Sequence, residues 1–119
     1  MESPHVYFKP VKCRPAKKPL LLSEFGGYSL AIVGHVFNPD KSYGYRKFKS
    51  EADFQSALTE LYQNEILPAA GAGLSGAIYT QITDVEDEIN GLVTYDRKHV
   101  KVDAAEMQRI ATALMAAHK

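Results

Sequence analysis

Glu24 stands where an apolar run stops and two glycines begin, in Lys18-Pro19-Leu20-Leu21-Leu22-Ser23-Glu24-Phe25-Gly26-Gly27. A carboxylate at such a junction can attack as a nucleophile or accept a proton as a base, and the glycines let the backbone turn sharply and leave the acid accessible. A second group of acids, Asp84, Glu86, Asp87 and Glu88, precedes the turn signal Asn90-Gly91. Oxygen-rich clusters suit hard cations such as calcium, but this spacing lacks the alternating ligands and central glycine of a helix-loop-helix calcium site. No metal is therefore assigned to it. The single cysteine, Cys13, excludes an internal disulfide framework and a cysteine-based zinc cage. Cys13 and the four histidines read as structural or solvated groups. No cofactor is expected either: Gly71-Ala72-Gly73 precedes a strand, whereas a nucleotide-binding phosphate loop follows one.

These acids need elements to position them. Leu20 to Leu22 carry no polar alternation and read as a strand buried on both faces, as in a parallel sheet covered by helices. Glu24 then lies at the carboxyl end, where α/β folds gather ligands and chemistry. From Tyr28 to Lys49 the chain is punctuated by Gly34, Asn38-Pro39-Asp40 and Gly44, a long loop over that strand end. Ser50 caps a helix with Glu51 and Asp53 in its first turn, and Phe54, Ala57, Leu58, Leu61, Tyr62 and Ile66 form its apolar stripe. Pro68 kinks or ends it, with room for the helix to resume as far as Ala70. Gly71 and Gly73 terminate it, and Gly76 to Thr83 reads as a second buried strand that ends, like the first, at an acid, Asp84. Asp103 caps a closing helix with Met107, Ile110, Ala111 and Leu114 as its buried stripe.

With 119 residues, 45% of them apolar, the chain is one domain's worth of material. Fourteen basic and fourteen acidic residues balance, so neither nucleic acid nor an anionic membrane is expected as a partner. The locally basic, proline-rich stretch holding Lys9, Lys12, Arg14, Lys17 and Lys18 reads as a solvated loop. Met1 to Pro10 lacks the apolar core of a signal peptide, and no apolar run approaches the roughly 20 residues of a membrane helix. The compartment stays open, cytoplasm being the default.

Two strand-then-helix units, each ending in polar residues, are what a slice of a (β/α)8 barrel looks like; a full barrel takes about 250 residues, so this sequence supplies only its last two βα units. The residues also resemble a family. Leu22-Ser23-Glu24-Phe25-Gly26-Gly27-Tyr28-Ser29, Tyr43-Gly44-Tyr45 and, above all, the run from Tyr79-Thr80-Gln81-Ile82-Thr83-Asp84 through Asn90-Gly91-Leu92-Val93-Thr94-Tyr95-Asp96-Arg97-Lys98 are similar to the end of the catalytic barrel in bacterial glycoside hydrolase family 2, the β-galactosidase and β-glucuronidase group. The similarity runs from about His5 to Leu114. It implies a partial barrel of strands six to eight, with Glu24 as the catalytic nucleophile and a carbohydrate as substrate. Tyr7, after His5-Val6 on strand six, is implied as a contact of the nucleophile. The family usually sets a tryptophan beneath the sugar on strand eight; this chain has none, so Tyr79 or Gln81 would stand there, and Asp84 joins them as a strand-end polar residue.

A retaining glycosidase needs two carboxyl groups about 5 Å apart, one to attack the anomeric carbon and one to protonate the leaving oxygen and then activate water. The resemblance sets the second acid on strand four, which this sequence does not contain. The chain is thus expected to carry the nucleophile and to lack the acid/base. Strands cut from a barrel expose backbone edges and an apolar face, so self-association into a homo-oligomer is expected, with the helices around Leu58 and Ile110 contributing. The rival reading is a non-catalytic carbohydrate-binding or interaction module, in which Tyr28, Tyr43, Tyr45 and Tyr79 stack on sugars.

Overall fold

In the computed structural model, which describes residues 5–6, 20–44 and 46–117, the elements in chain order are β1 (His5–Val6), β2 (Leu20–Gly26), β3 (Tyr28–Leu30), β4 (Arg46–Phe48), α1 (Glu51–Leu61), a π-helical stretch (Tyr62–Ile66), α2 (Leu67–Gly71), β5 (Leu74–Thr80) and α3 (Ala104–Ala117). The architecture is mixed α/β with a small parallel sheet. β2 lies between β1 and β5, all three parallel. Parallel neighbours need a crossover, and the helices between β2 and β5 supply one. Leu22 pairs with Ala77 and Phe25 with Tyr79, so β2 carries one extra residue between those pairs, a bulge at Ser23–Glu24.

The apolar core lies on one face of this sheet. Leu22 and Phe25 pack there with Phe54, Leu58 and Ile66, all at most 2% exposed. Side chains alternate along a strand, so Ile78, next to the inward Tyr79, faces the other way and is 54% exposed. The expectation of a buried second strand is corrected accordingly; on β2, Leu22 is buried and Leu21 half-buried. An apolar run records a preference for burial without naming the partner, and among the described residues the helices cover a single face. The second strand also runs Leu74–Thr80 rather than Gly76 to Thr83, which leaves Ile82 beyond its end and 74% exposed.

The helices follow local signals. Ser50 Oγ accepts from the Asp53 amide at 3.1 Å, satisfying one of the orphan donors of the first turn. Phe54, Leu58, Leu61 and Ile66 are buried on the sheet side. Ahead of Pro68 the Leu67 amide bonds five residues back, to Tyr62 O, rather than four. That widened turn accommodates a ring that would crowd a regular helix, and helical structure continues to Gly71. Gly73, at φ +120°, then redirects the chain into β5. On α3, Asp103 Oδ1 accepts from the Glu106 amide at 3.0 Å. Its stripe is narrower than expected: Ile110 is buried, Met107 and Leu114 are half-buried, and Ala111 is exposed, because α3 packs on α1 and α2 along one edge only.

Two long connections leave the carboxyl ends of β2 and β5. The first, expected as a loop from Tyr28 to Lys49, begins and ends in short strands, Tyr28 pairing with Arg46, Ser29 with Lys47 and Leu30 with Phe48. The Arg46 guanidinium lies 5.6 Å from the Tyr28 ring centroid and 5.0 Å from that of Phe48. The second connection is sewn to the first. Leu30 N–H donates to Ile89 O at 3.0 Å, Tyr43 N–H to Asp87 O at 2.6 Å, and Ile89 N–H to Tyr43 O at 2.9 Å.

Candidate functional site at the carboxyl end of the sheet

Glu24 occupies the bulge of the central strand, half-buried and in register with His5 on β1. A bulge re-aims the side chains it carries. Phe25, the next residue, points into the core and meets Tyr62 and Tyr79 edge-on, with ring centroids 5.6 and 5.4 Å away. Alternation therefore directs Glu24 to the face that the helices leave open. Directly after Phe25 the chain turns through Gly26 at φ +89° and Gly27 at φ +75°, and Gly27 N–H donates to Thr80 O at 2.9 Å. The turn needs glycine twice over. A Cβ on Gly26 would sit 2.2 Å from Tyr79 Cε2, so the tyrosine ring lies flat against this backbone.

The other residues singled out in the sequence do not converge on Glu24. Tyr79 packs against Phe25, on the opposite face, and its buried hydroxyl has no hydrogen-bond partner among the described residues. Burial pushes that phenol well above its ordinary pKa, and burial likewise pushes Tyr62 up to about 12. Gln81 follows the strand end; its Nε2 donates to Asn90 Oδ1 at 2.7 Å and its N–H to Asn90 O at 3.1 Å. Tyr7 lies outside the described residues.

Asp84 is held inside the loop. Its Oδ1 accepts from Lys101 Nζ at 2.8 Å and from Gly91 N–H at 2.8 Å, while Oδ2 is buried without a partner among the described residues. Lys101 Nζ also donates to Leu30 O at 2.6 Å and to Ile89 O at 2.9 Å, so all three ammonium donors are used. Burial pushes the Asp84 carboxyl up and the Lys101 ammonium down, and their mutual pairing opposes both shifts. Sequence reasoning missed Lys101. Its one signal is a lone cation between Val100 and Val102, within reach of an acid cluster. Gly91 is fixed by the same packing, since a Cβ there would lie 2.2 Å from Asp84 N.

A second polar tie joins the two connections. His35 Nδ1 lies 2.8 Å from Asp96 Oδ2, the Thr94 hydroxyl donates to Asp96 Oδ1 at 2.6 Å, and Lys98 N–H donates to the same oxygen at 3.0 Å. The His35 and His99 rings stack at 6.0 Å, and His99 Nε2 lies 2.6 Å from Glu51 Oε1 at the start of α1. These donors, the Thr94 bond first, hold the Asp96 carboxyl well below the usual carboxylate range. A depressed folded pKa contributes stability above the unfolded value and loses it as pH falls through the folded one. Thermal melts followed by circular dichroism should therefore show the native chain losing stability below about pH 5 more steeply than Asp96→Asn. Parallel pH profiles for the two proteins would contradict this.

Among the described residues no three His, Cys, Asp or Glu side chains gather as a metal site, and no helix is long and apolar enough to cross a membrane. No protein-family model matches the chain, and neither does any curated protein.

Proposed function

We propose that this chain is the carboxyl-terminal part of the (β/α)8 barrel of a retaining glycosidase, of the glycoside hydrolase family 2 kind, carrying the nucleophile and lacking the acid/base. The observation that carries the reading is the position of Glu24: a half-buried acid in the bulge at the carboxyl end of the central parallel strand, next to the core-facing Phe25, so that alternation sets it on the face turned away from the helices. In a closed barrel that face is the interior, and chemistry sits at that end of it. The order of β1, β2 and β5, with helices between the last two, fits strands six, seven and eight. Glu24 then attacks the anomeric carbon to form a glycosyl ester, and the partner acid of strand four protonates the departing oxygen and later activates water. Tyr7 and Gln81 serve as sugar contacts in this proposal. Tyr79 shapes the Gly26 turn from the far side, and Asp84 holds the loop through Lys101.

The module reading keeps one specific support, Tyr43, which is 50% exposed. Of its other tyrosines, Tyr28 is 7% exposed and belongs to the core, Tyr79 is packed on Phe25, and Tyr45 lies outside the described residues. Incubating the purified chain with nitrophenyl β-galactoside and β-glucuronide tests whether the acid/base is missing. The expected result is no multiple turnover above that of Glu24→Gln. Sustained turnover abolished by Glu24→Gln would mean that the second acid lies within this chain.

A further inference from the structure

Independently of the glycosidase reading, the sheet ends in an edge built to be covered. β5 has β2 on one side and, among the described residues, no strand on the other. Thr80 O accepts from Gly27, so alternation turns the N–H and C=O of Ala77 and Tyr79 toward the unpaired side. Natural edges are guarded by lysine, proline or inward charge. The run Leu74-Ser75-Gly76-Ala77-Ile78-Tyr79-Thr80-Gln81-Ile82-Thr83 has none of these. Beside it an apolar cleft of about 400 Å³ opens, lined by Tyr62, Ile66, Leu74, Leu114 and Met115 among others. Ile78 is 54%, Met115 70% and Ile82 74% exposed.

We infer that β5 pairs antiparallel with β5 of a second copy of this chain across a two-fold axis, joining two three-stranded sheets into one of six. The second copy is the occupant because a strand related to itself by a two-fold axis is its own antiparallel complement, and each free N–H meets a C=O. Charge does not oppose this partner. The strand is uncharged and the whole chain has a net charge of zero, so like copies meet no repulsion at the seam or at a distance. The cleft beside the edge receives apolar side chains of the partner.

Light scattering coupled to size exclusion, at concentrations on the order of 10 µM, is expected to give a dimer. Hydrogen exchange at the Ala77 and Tyr79 amides should slow by at least about tenfold on going from dilute to concentrated protein, as pairing closes them from solvent. Ile78→Lys, at an exposed position, brings like charges together across the seam and should yield monomer with an unchanged far-ultraviolet spectrum. Ala77→Pro removes a free-edge donor without touching the β2 ladder and should do the same; if it fails to fold, Ile78→Lys decides alone. A monomeric native chain, including one that pairs only with a different polypeptide, would overturn the proposal. So would a dimer that Ile78→Lys leaves intact.

Discussion

Lys101→Met is expected to destabilise the chain by about 3–5 kcal/mol, a large share of the roughly 5–15 kcal/mol that holds a domain folded. The Lys101 side chain is 0% and its partner Asp84 1% exposed. Removing the ammonium takes a donor from three acceptors at once: Leu30 O, Ile89 O, which keeps only the Leu30 amide, and a carboxylate that keeps only the Gly91 amide on Oδ1 and whose other oxygen is already without a partner among the described residues. An uncompensated buried charge is far worse than a missing pair. The double variant Asp84→Asn/Lys101→Met should therefore recover part of the loss, because the charge leaves with its partner. The pH dependence follows from the same burial. With the lysine gone, desolvation raises the Asp84 pKa above its unfolded value with only the Gly91 amide opposing it, and a raised acid stabilises below that value and loses the benefit as pH rises. Urea titrations of Lys101→Met should show a smaller defect at about pH 5 than at about pH 8. An equal defect at both, or one below about 1 kcal/mol, would show that the pair is not the pin that joins the two connections.

How far the sequence discloses this arrangement depends on the range of each interaction. Ser50 and Asp103 cap their helices as their types and spacing imply, because a cap is settled within three residues. The central strand is legible in Leu20 to Leu22 for the same reason. The half-burial of Leu21 is not, since an apolar run cannot say whether one layer or two will cover it. β3 and β4 escaped notice because three-residue strands carry no usable period and Tyr28 finds Arg46 only across the intervening loop. The candidate site divides in the same way. Glu24 announces itself through the glycines behind it, whereas the burial of Asp84 depends on Lys101, seventeen positions along the chain. The resemblance that offered Tyr79 as a sugar contact carries nothing of its packing, which sets the ring against Phe25 and the Gly26 turn.

Glu24→Gln is expected to abolish stoichiometric labelling of the chain by an activated glycoside, the largest functional effect that the account anticipates. A dinitrophenolate leaving group departs without protonation, so the attacking carboxylate can form its glycosyl ester even where no acid assists. Without a base to activate water the ester persists, and azide, which needs no deprotonation, releases it as a glycosyl azide of retained configuration. Intact-mass and peptide mass spectrometry after incubation with dinitrophenyl β-galactoside or β-glucuronide measures this directly. The account predicts one glycosyl group per chain, on the peptide containing Glu24, lost on azide treatment and absent from Glu24→Gln. An unlabelled native chain, or label that persists in Glu24→Gln, would contradict the assignment of Glu24 as a glycosidase nucleophile.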